Sequence, residues 1–137
     1  MNPQASAWLV PYLNVRDPNK SLAFYAVVFG FEKAVVTEEG GKIVHAEMTY
    51  QGQTTLMFKP EGLHNPDAKS PATSNMSSPL DLMIYAADVD AVHSRALAHG
   101  GKSLFAPEDV PWGERHALIH DLDGYPWLIA SLIEKKS

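Results

Sequence analysis

The chain has 137 residues, of which 45% are hydrophobic and 20% charged, a composition typical of one soluble globular domain. It contains no cysteine, so a disulfide framework, a thiolate nucleophile and a cysteine metal site are excluded. The formal net charge of −5 argues against a nucleic-acid partner, which needs a basic patch, and no apolar run approaches the ~20 residues of a membrane helix.

The first half of the chain predicts one strand, one helix and then three strands. Residues 8–15 read as the first strand, where Pro11 indicates an edge position or a bulge. A helix follows with Asp17 as its N-cap and Pro18 at its first position, and it ends at Gly30. Three further strands are predicted over residues 31–38, 42–50 and 53–59.

Residues 61–79 are rich in Pro, Ser, Asn and Ala without periodicity, which predicts a linker. A strand over 80–86, a helix capped by Asp88, a strand over 102–106 and a hairpin from Glu114 to Leu132 come after it. We therefore predict one domain over residues 1–137, in which module one covers 8–60, the linker 61–79 and module two 80–133. The fold class is α+β, with two tandem βαβββ modules.

A repeat relates the two halves. The helix-cap Asp17 lies 35 positions before the turn glycine Gly52, and Asp88 lies 36 positions before Gly124. Helix caps, helix-ending glycines and hairpin glycines occur in the same order and at nearly the same spacing in both halves, which indicates a duplicated module.

The segments PYLNVRD, FYAVVFGFE and DLDGYPWLIA resemble the vicinal-oxygen-chelate superfamily of glyoxalase I, extradiol dioxygenases and bleomycin-resistance proteins. The hairpin HAEMTYQGQTTLMF is similar to the PhnB-like branch. The resemblance covers nearly the whole chain. It implies two curved sheets whose concave faces form a cup, usually in a homodimer, and the metal enzymes of the superfamily bind a divalent metal in that cup.

The resemblance and the repeat together place the four metal-ligand positions at Val10, Leu56, Asp81 and Leu128. Aliphatic side chains cannot ligate a cation, and a single carboxylate does not hold a catalytic metal. We therefore expect neither a metal nor another cofactor, although a relocated metal site at His45, Glu47 or His116 stays open.

Strand parity predicts an apolar cup edged by aromatic, histidine and acidic side chains. Glu114, His116, Leu118 and His120 share one strand face, and Trp112 lies in a loop at the mouth of the cup. The predicted ligand-binding residues are Trp8, Val10, Tyr12, His45, Glu47, Leu56, Phe58, Asp81, Met83, Trp112, His116 and Leu128. This lining is typical of a site for a flat or amphipathic organic molecule.

The favoured function is a metal-independent protein that sequesters a small organic or antibiotic-like compound, as metal-free resistance proteins of the superfamily do. The alternative is a glyoxalase-like lyase or isomerase that uses a relocated metal or Glu47 and His116 as acid–base catalysts. A structural subunit is the third hypothesis.

We expect a homodimer, because each module leaves an apolar concave face and an exposed sheet edge, with module-swapped pairing left open. Because residues 1–7 carry no basic stretch followed by an apolar core, we expect no signal peptide and a cytoplasmic protein.

Overall fold

The computed structural model describes residues 6–133, which form two four-stranded sheets with helices packed on one face of each. The first sheet contains β1 (Tyr12–Val15), β2 (Glu32–Glu39), β3 (Lys42–Tyr50) and β4 (Gln53–Pro60). The second contains β5 (Leu82–Tyr85), β6 (Lys102–Val110), β7 (Glu114–His120) and β8 (Pro126–Leu132). The helices are α1 (Pro18–Phe29), α2 (Pro71–Ser74) and α3 (Val89–Ala98).

Both sheets have the same strand order. The order is β1-β4-β3-β2 in the first sheet and β5-β8-β7-β6 in the second. In each sheet the first strand pairs parallel with the last, and the other pairs are antiparallel. The predicted α+β fold of two tandem βαβββ modules is therefore confirmed. No helix within residues 6–133 has the length and apolarity needed to cross a membrane.

The capping residues start both long helices, as the sequence predicts. The Asp17 side chain accepts hydrogen bonds from the amides of Asn19 and Lys20, which satisfies two donors that the first turn leaves unpaired. Asp88 accepts from the amide of Ala91 in the same way. Gly30 ends α1 with a left-handed φ of 76°, where a side chain would be strained.

Several element boundaries differ from the predicted ones. β1 begins at Tyr12 rather than at residue 8, and Trp8 lies 78% exposed ahead of it. Pro11 has no N–H to donate, and only its carbonyl is paired, with the amide of Met57 at 3.0 Å. β6 continues to Val110, beyond the predicted residue 106, because its second half pairs with β7. The predicted linker contains the one-turn helix α2, capped by Ser70.

One hydrophobic core joins the two modules. It lies between the sheets and the helices α1 and α3. The ring of Trp127 on β8 lies 4.6 Å from Phe29 and 5.6 Å from Tyr25, both on α1. The Arg95 guanidinium on α3 donates two hydrogen bonds to the carbonyl of Val28. Because these contacts cross between modules, each helix packs partly against the other half of the chain.

The β7–β8 turn provides the polar part of this junction. The buried carboxylate of Asp121 accepts from the phenol of Tyr25 at 2.6 Å and from the indole of Trp127 at 2.9 Å. Its other oxygen accepts from the amides of Asp123 and Tyr125. Burial raises the pKa of Asp121, while these hydrogen bonds act in the opposite direction.

Two further residues of this turn contact module one. The Asp123 carboxylate accepts from the amide of Arg16 at 2.9 Å and from its Nε at 3.1 Å. The phenol of Tyr125 donates to the carbonyl of Asn14 at 2.8 Å, and burial raises its pKa to about 12, so it stays a neutral donor. The DLDGYPW segment therefore closes a hairpin and also holds the modules together.

The predicted orientation of β4 is wrong. Leu56 and Phe58 are fully buried against the helices, and the Phe58 ring lies 5.7 Å from Tyr25. The β3–β4 ladder shifts register, because Thr49 pairs with Thr54 but Met48 pairs with Leu56, and Thr55 is thus an extra residue on β4. The β7–β8 ladder has no such shift, so counting four positions from each turn glycine reaches opposite faces of the two sheets. Met57, rather than Leu56, pairs with Tyr12 as Leu128 pairs with Met83.

Candidate functional site

We define the outer face of each sheet as the face that does not pack on α1 or α3. On the first sheet this face carries a hydrogen-bonded chain of three side chains. The phenol of Tyr12 lies 2.7 Å from Nδ1 of His45, and Nε2 of His45 lies 2.8 Å from a carboxylate oxygen of Glu47. A neutral imidazole protonated at Nε2 satisfies both contacts. Burial and the nearby Glu47 carboxylate raise the pKa of Tyr12, so its phenol remains a donor.

A second polar cluster lies on the outer face of the second sheet. The phenol of Tyr85 donates to Glu114 at 2.8 Å, and the other oxygen of Glu114 lies 2.7 Å from Nε2 of His116. Hydrogen bonds from His116 and Tyr85 lower the pKa of Glu114 despite its burial. The same contact with Glu114 raises the pKa of Tyr85. Glu114 is therefore an ionised acceptor at neutral pH.

Trp112 stands beside this cluster. Its ring makes an edge contact with the imidazole of His116 at 5.7 Å between centroids, and 69% of its surface is exposed. A large exposed aromatic ring held next to a buried histidine and carboxylate offers a stacking surface to a ligand.

An apolar row crosses all four strands next to the cluster. Met83 on β5 pairs with Leu128 on β8, Leu128 pairs with Leu118 on β7, and Leu118 pairs with Phe105 on β6. Paired residues share a face of the sheet, so these four side chains form one continuous stripe. Met83 and Phe105 remain 48% and 39% exposed, and this stripe is therefore an incompletely covered apolar surface.

The two sheets meet at one end of this face. The phenol of Tyr50 donates to the carbonyl of Tyr85 at 2.8 Å. Beside this contact lies an open cavity of about 460 Å³ whose lining includes Tyr85 and Leu132. Leu132, which is 76% exposed, extends the apolar surface toward the cavity.

The predicted site residues fall into three groups. Tyr12, His45 and Glu47 meet on the first outer face, and Met83, Trp112, His116 and Leu128 lie on or beside the second. Leu56 and Phe58 belong to the core and are therefore not site residues. Trp8, Val10 and Asp81 precede the strands in which they were expected.

The predicted ligand-binding set lacks Tyr85 and Glu114. Their signal was present in the sequence, because Glu114 alternates with His116 along β7 and Tyr85 shares the parity of Met83 on β5. Only the pairing of β5 and β7 with β8 brings the phenol and the carboxylate into contact.

The donor set does not fit a divalent metal. Of the four positions implied by the metal enzymes, Val10 and Leu128 are aliphatic and Leu56 is buried in the core. Met57, the counterpart of Leu128, offers only a soft thioether, which leaves Asp81 alone as an oxygen donor. Across residues 6–133 no three His, Asp or Glu side chains come close enough to hold an ion together.

A sequence model of the Glyoxalase/Bleomycin resistance protein/Dioxygenase superfamily matches residues 7–129. Uncharacterized proteins of Mycobacterium bovis and Mycobacterium tuberculosis are 28% identical over 128 residues, or 93% of this chain and 84% and 75% of theirs.

The fold resembles several solved structures. TioX from Micromonospora sp. ML1 matches with a TM-score of 0.68 and 26% identity, over 96% of this chain and 100% of that one. A superfamily member from Sphaerobacter thermophilus matches with a TM-score of 0.68 and 21% identity, over 91% and 97% of the two chains. An enzyme of this family from Burkholderia phytofirmans matches with a TM-score of 0.68 and 20% identity, over 89% and 97%. At 21% and 20% identity, the last two show the fold alone.

Proposed function

The chain belongs to the glyoxalase/bleomycin resistance protein/dioxygenase superfamily, and we propose that it is a metal-independent protein that binds a flat, amphipathic organic molecule on the outer face of its second sheet. One observation carries this proposal: the apolar row from Met83 to Phe105 lies next to the exposed ring of Trp112 and the paired Glu114 and His116. Apolar area with a few directional polar groups is the usual composition of a small-molecule site.

Each part of this surface has a role in binding. The apolar row covers the body of the ligand, and stacking on Trp112 contributes ~0.5–1.5 kcal/mol beyond area burial. Because the lowered pKa of Glu114 keeps its carboxylate ionised, the site favours a ligand with a cationic or hydrogen-bond-donating group near its ring. An organic or antibiotic-like compound with such a group is the ligand class we propose, with sequestration in the cytoplasm as the role.

A second copy of the chain would complete the site. The outer face of one chain is open, with Met83, Tyr85, Phe105 and Leu132 all exposed. We propose a homodimer in which the partner covers this face and turns it into a cup, because an apolar surface of this kind is stabilised when another surface removes it from water. Tyr12, His45 and Glu47 provide a further polar surface for the ligand or the partner.

Native mass spectrometry of freshly purified protein tests for a retained compound. Binding is then measured by quenching of tryptophan fluorescence with 2-(aminomethyl)naphthalene, an aromatic ring with one cationic group. We expect Trp112→Ala to weaken binding by ~2 kcal/mol, about 30-fold, if Trp112 is a buried anchor in the complex. Leu97→Ala, which truncates an exposed leucine on α3, serves as the matched control.

Leu128→Arg provides the stricter test. It places a charge in the middle of the apolar row, and we expect it to abolish binding while the protein stays folded. A Leu128→Arg protein that does not fold would show that this face is a packed core. A Trp112→Ala protein with unchanged affinity would show that the Trp112 ring does not contact the ligand.

The second candidate function is acid–base catalysis of the lyase or isomerase kind. The observation in its favour is the buried pair of Glu114 and His116, in which the carboxylate orients the imidazole through Nε2. Between residues 6 and 133 the His116 side chain forms no hydrogen bond other than this one, which leaves its Nδ1 without a partner there. It is thus available to move a proton, while Glu47 and His45 form a similar pair on the first sheet.

Proton exchange separates this candidate from simple binding. Deuterium incorporation next to the carbonyl group of a panel of α-hydroxyketones in D₂O, followed by NMR, is the readout. Exchange that His116→Gln abolishes and His45→Gln preserves would favour catalysis at the second sheet. A rate equal to that of buffer alone would leave binding as the function.

A further inference from the structure

A groove of about 650 Å³ lies away from the outer-face site. One wall is the segment around α2, and the others are the start of α1, the β7–β8 turn and the start of β6. It shares no lining residue with the apolar row or with the cluster of Tyr85, Glu114 and His116.

Basic side chains concentrate in this groove although the chain carries a net charge of −5. Arg16, Lys20, Lys102 and His120 all line it. Arg16 is paired with Asp123, whereas Lys20 and Lys102 form no ion pair with any other residue between 6 and 133. The single lining carboxylate, Asp121, is buried, and both of its oxygens already accept hydrogen bonds. The groove is therefore locally positive.

The rest of the lining includes the polar residues Asn75 and Ser77 and an apolar part. Met76 and Leu122 contribute hydrophobic surface, and Met76 is 68% exposed at the rim. Apolar walls next to unpaired cations match a molecule that has an anionic group on a compact apolar body.

Hydrogen bonds hold the α2 wall in place. The carboxylate of Glu61 accepts from the amide of Ser70 at 2.7 Å and from the hydroxyl of Thr73 at 2.8 Å. The amide of Ala72 donates to the carbonyl of Asp123 at 2.9 Å, which attaches α2 to the β7–β8 turn.

Two glycines allow the walls to approach closely. A Cβ at Gly124 would lie 3.1 Å from the backbone nitrogen of Ala72, and a Cβ at Gly100 would lie 3.0 Å from the Leu122 side chain. Both glycines also have φ values that disfavour side chains, 83° and 98°. The close approach of the α2 segment to Gly124 and of Leu122 to Gly100 therefore depends on these two positions carrying no side chain.

We propose that this groove binds a small organic anion, a carboxylate or a phosphate ester with a compact apolar body. Lys20 on α1 and Lys102 at the start of β6 contact the anionic group, and Met76 and Leu122 cover the apolar body. The volume lies within the 300–1,000 Å³ range typical of small-molecule sites.

Titration with phenyl phosphate, benzoate and the neutral benzyl alcohol, followed by amide NMR, tests the proposal. We expect saturable shifts around Ala72, Met76 and Leu122 with at least one of the two anions, at a Kd of about 1 mM, and binding at least about tenfold weaker for benzyl alcohol. Whichever anion binds more tightly identifies the preferred charged group.

Charge-matched double variants locate the binding. We expect Lys20→Gln with Lys102→Gln to weaken anion binding at least about tenfold, a loss of roughly 1.4 kcal/mol. Lys33→Gln with Lys42→Gln changes the net charge equally at exposed positions of β2 and β3, and we expect it to change the Kd less than about twofold. Met76→Glu, at an exposed rim position, should weaken the same anions without threatening the fold.

Three results would overturn the proposal: no saturable shift with either anion, an equal loss in both double variants, or shifts that cluster around Trp112 and Met83. The anionic probes keep this test separate from the cationic probe of the outer face, so either proposal can fail while the other stands.

Discussion

The phenol of Tyr25 on α1 donates a 2.6 Å hydrogen bond to the carboxylate of Asp121, which lies 96 positions later in the chain and in the other module. Both groups are buried, and burial together with the Asp121 charge raises the pKa of Tyr25 well above its usual range. The bond therefore joins a neutral donor to an acceptor that is almost fully buried. The two modules share this contact at the centre of their common core.

Removing that donor should destabilise the whole domain. We expect Tyr25→Phe to lower the free energy of unfolding by about 1–3 kcal/mol, because the buried Asp121 carboxylate loses one of its four hydrogen bonds. Urea unfolding followed by circular dichroism measures the loss. Tyr12→Phe removes an exposed phenol that water replaces, and we expect it to cost less than about 0.5 kcal/mol. Equal costs for the two variants would contradict a structural role for the Asp121 contact.

The attachment of α2 should depend on pH through Glu61. Burial alone would raise the pKa of Glu61, but hydrogen bonds from Ser70 and Thr73 outweigh it and lower the pKa. A carboxyl whose pKa is lower in the folded state stabilises the fold above its ordinary value of about 4.3, and this contribution disappears as pH falls through the folded value.

Glu61→Gln tests this dependence. After allowance for solvent screening at this partly exposed site, we expect the variant to melt about 2 °C below the parent protein at neutral pH. The gap should narrow as the pH falls below about 4. Differential scanning fluorimetry across this range measures the gap, and a gap that stays constant or widens in acid would refute the assignment.

The purified protein should carry no stoichiometric divalent metal. Asp81 is the only one of the four implied ligand positions with a metal-binding side chain, and a single carboxylate is too weak a site. Elemental analysis for Ni, Zn, Fe and Mn is the measurement, with Asp81→Ala as the comparison. About one metal per chain that Asp81→Ala removes would show that the strand placement is wrong.

The outer faces predict a stable homodimer. Analytical ultracentrifugation at ~10 µM should give twice the 15.0 kDa mass of one chain, because an interface of usual size holds at that concentration. Leu132→Glu should shift the protein toward monomer, since this exposed leucine extends the apolar outer surface. Leu97→Glu on α3 is the matched control. A monomer mass for the parent protein would contradict the proposal that a second copy of the chain covers the outer face.

The local sequence predicted most of the secondary structure. Asp17 and Asp88 start their helices, Gly30 ends α1, and the alternation along residues 42–50 matches β3 from its first residue to its last. These signals act over fewer than about five residues, through caps, turns and side-chain alternation. The repeat of the same signals at an almost constant spacing was enough to predict two tandem modules.

Only the tertiary structure decided which way β4 faces and which side chains meet. Thr49 pairs with Thr54 but Met48 pairs with Leu56, so β4 carries one extra residue, Thr55, whereas β7 and β8 pair without a shift. One extra residue moves every later side chain of the strand to the opposite face. Leu56 is therefore core while Leu128 is surface, although both lie four positions after a turn glycine. Asp121 and Tyr25, Glu114 and Tyr85, and Lys20 and Lys102 are far apart in the chain, so packing alone brings each pair together.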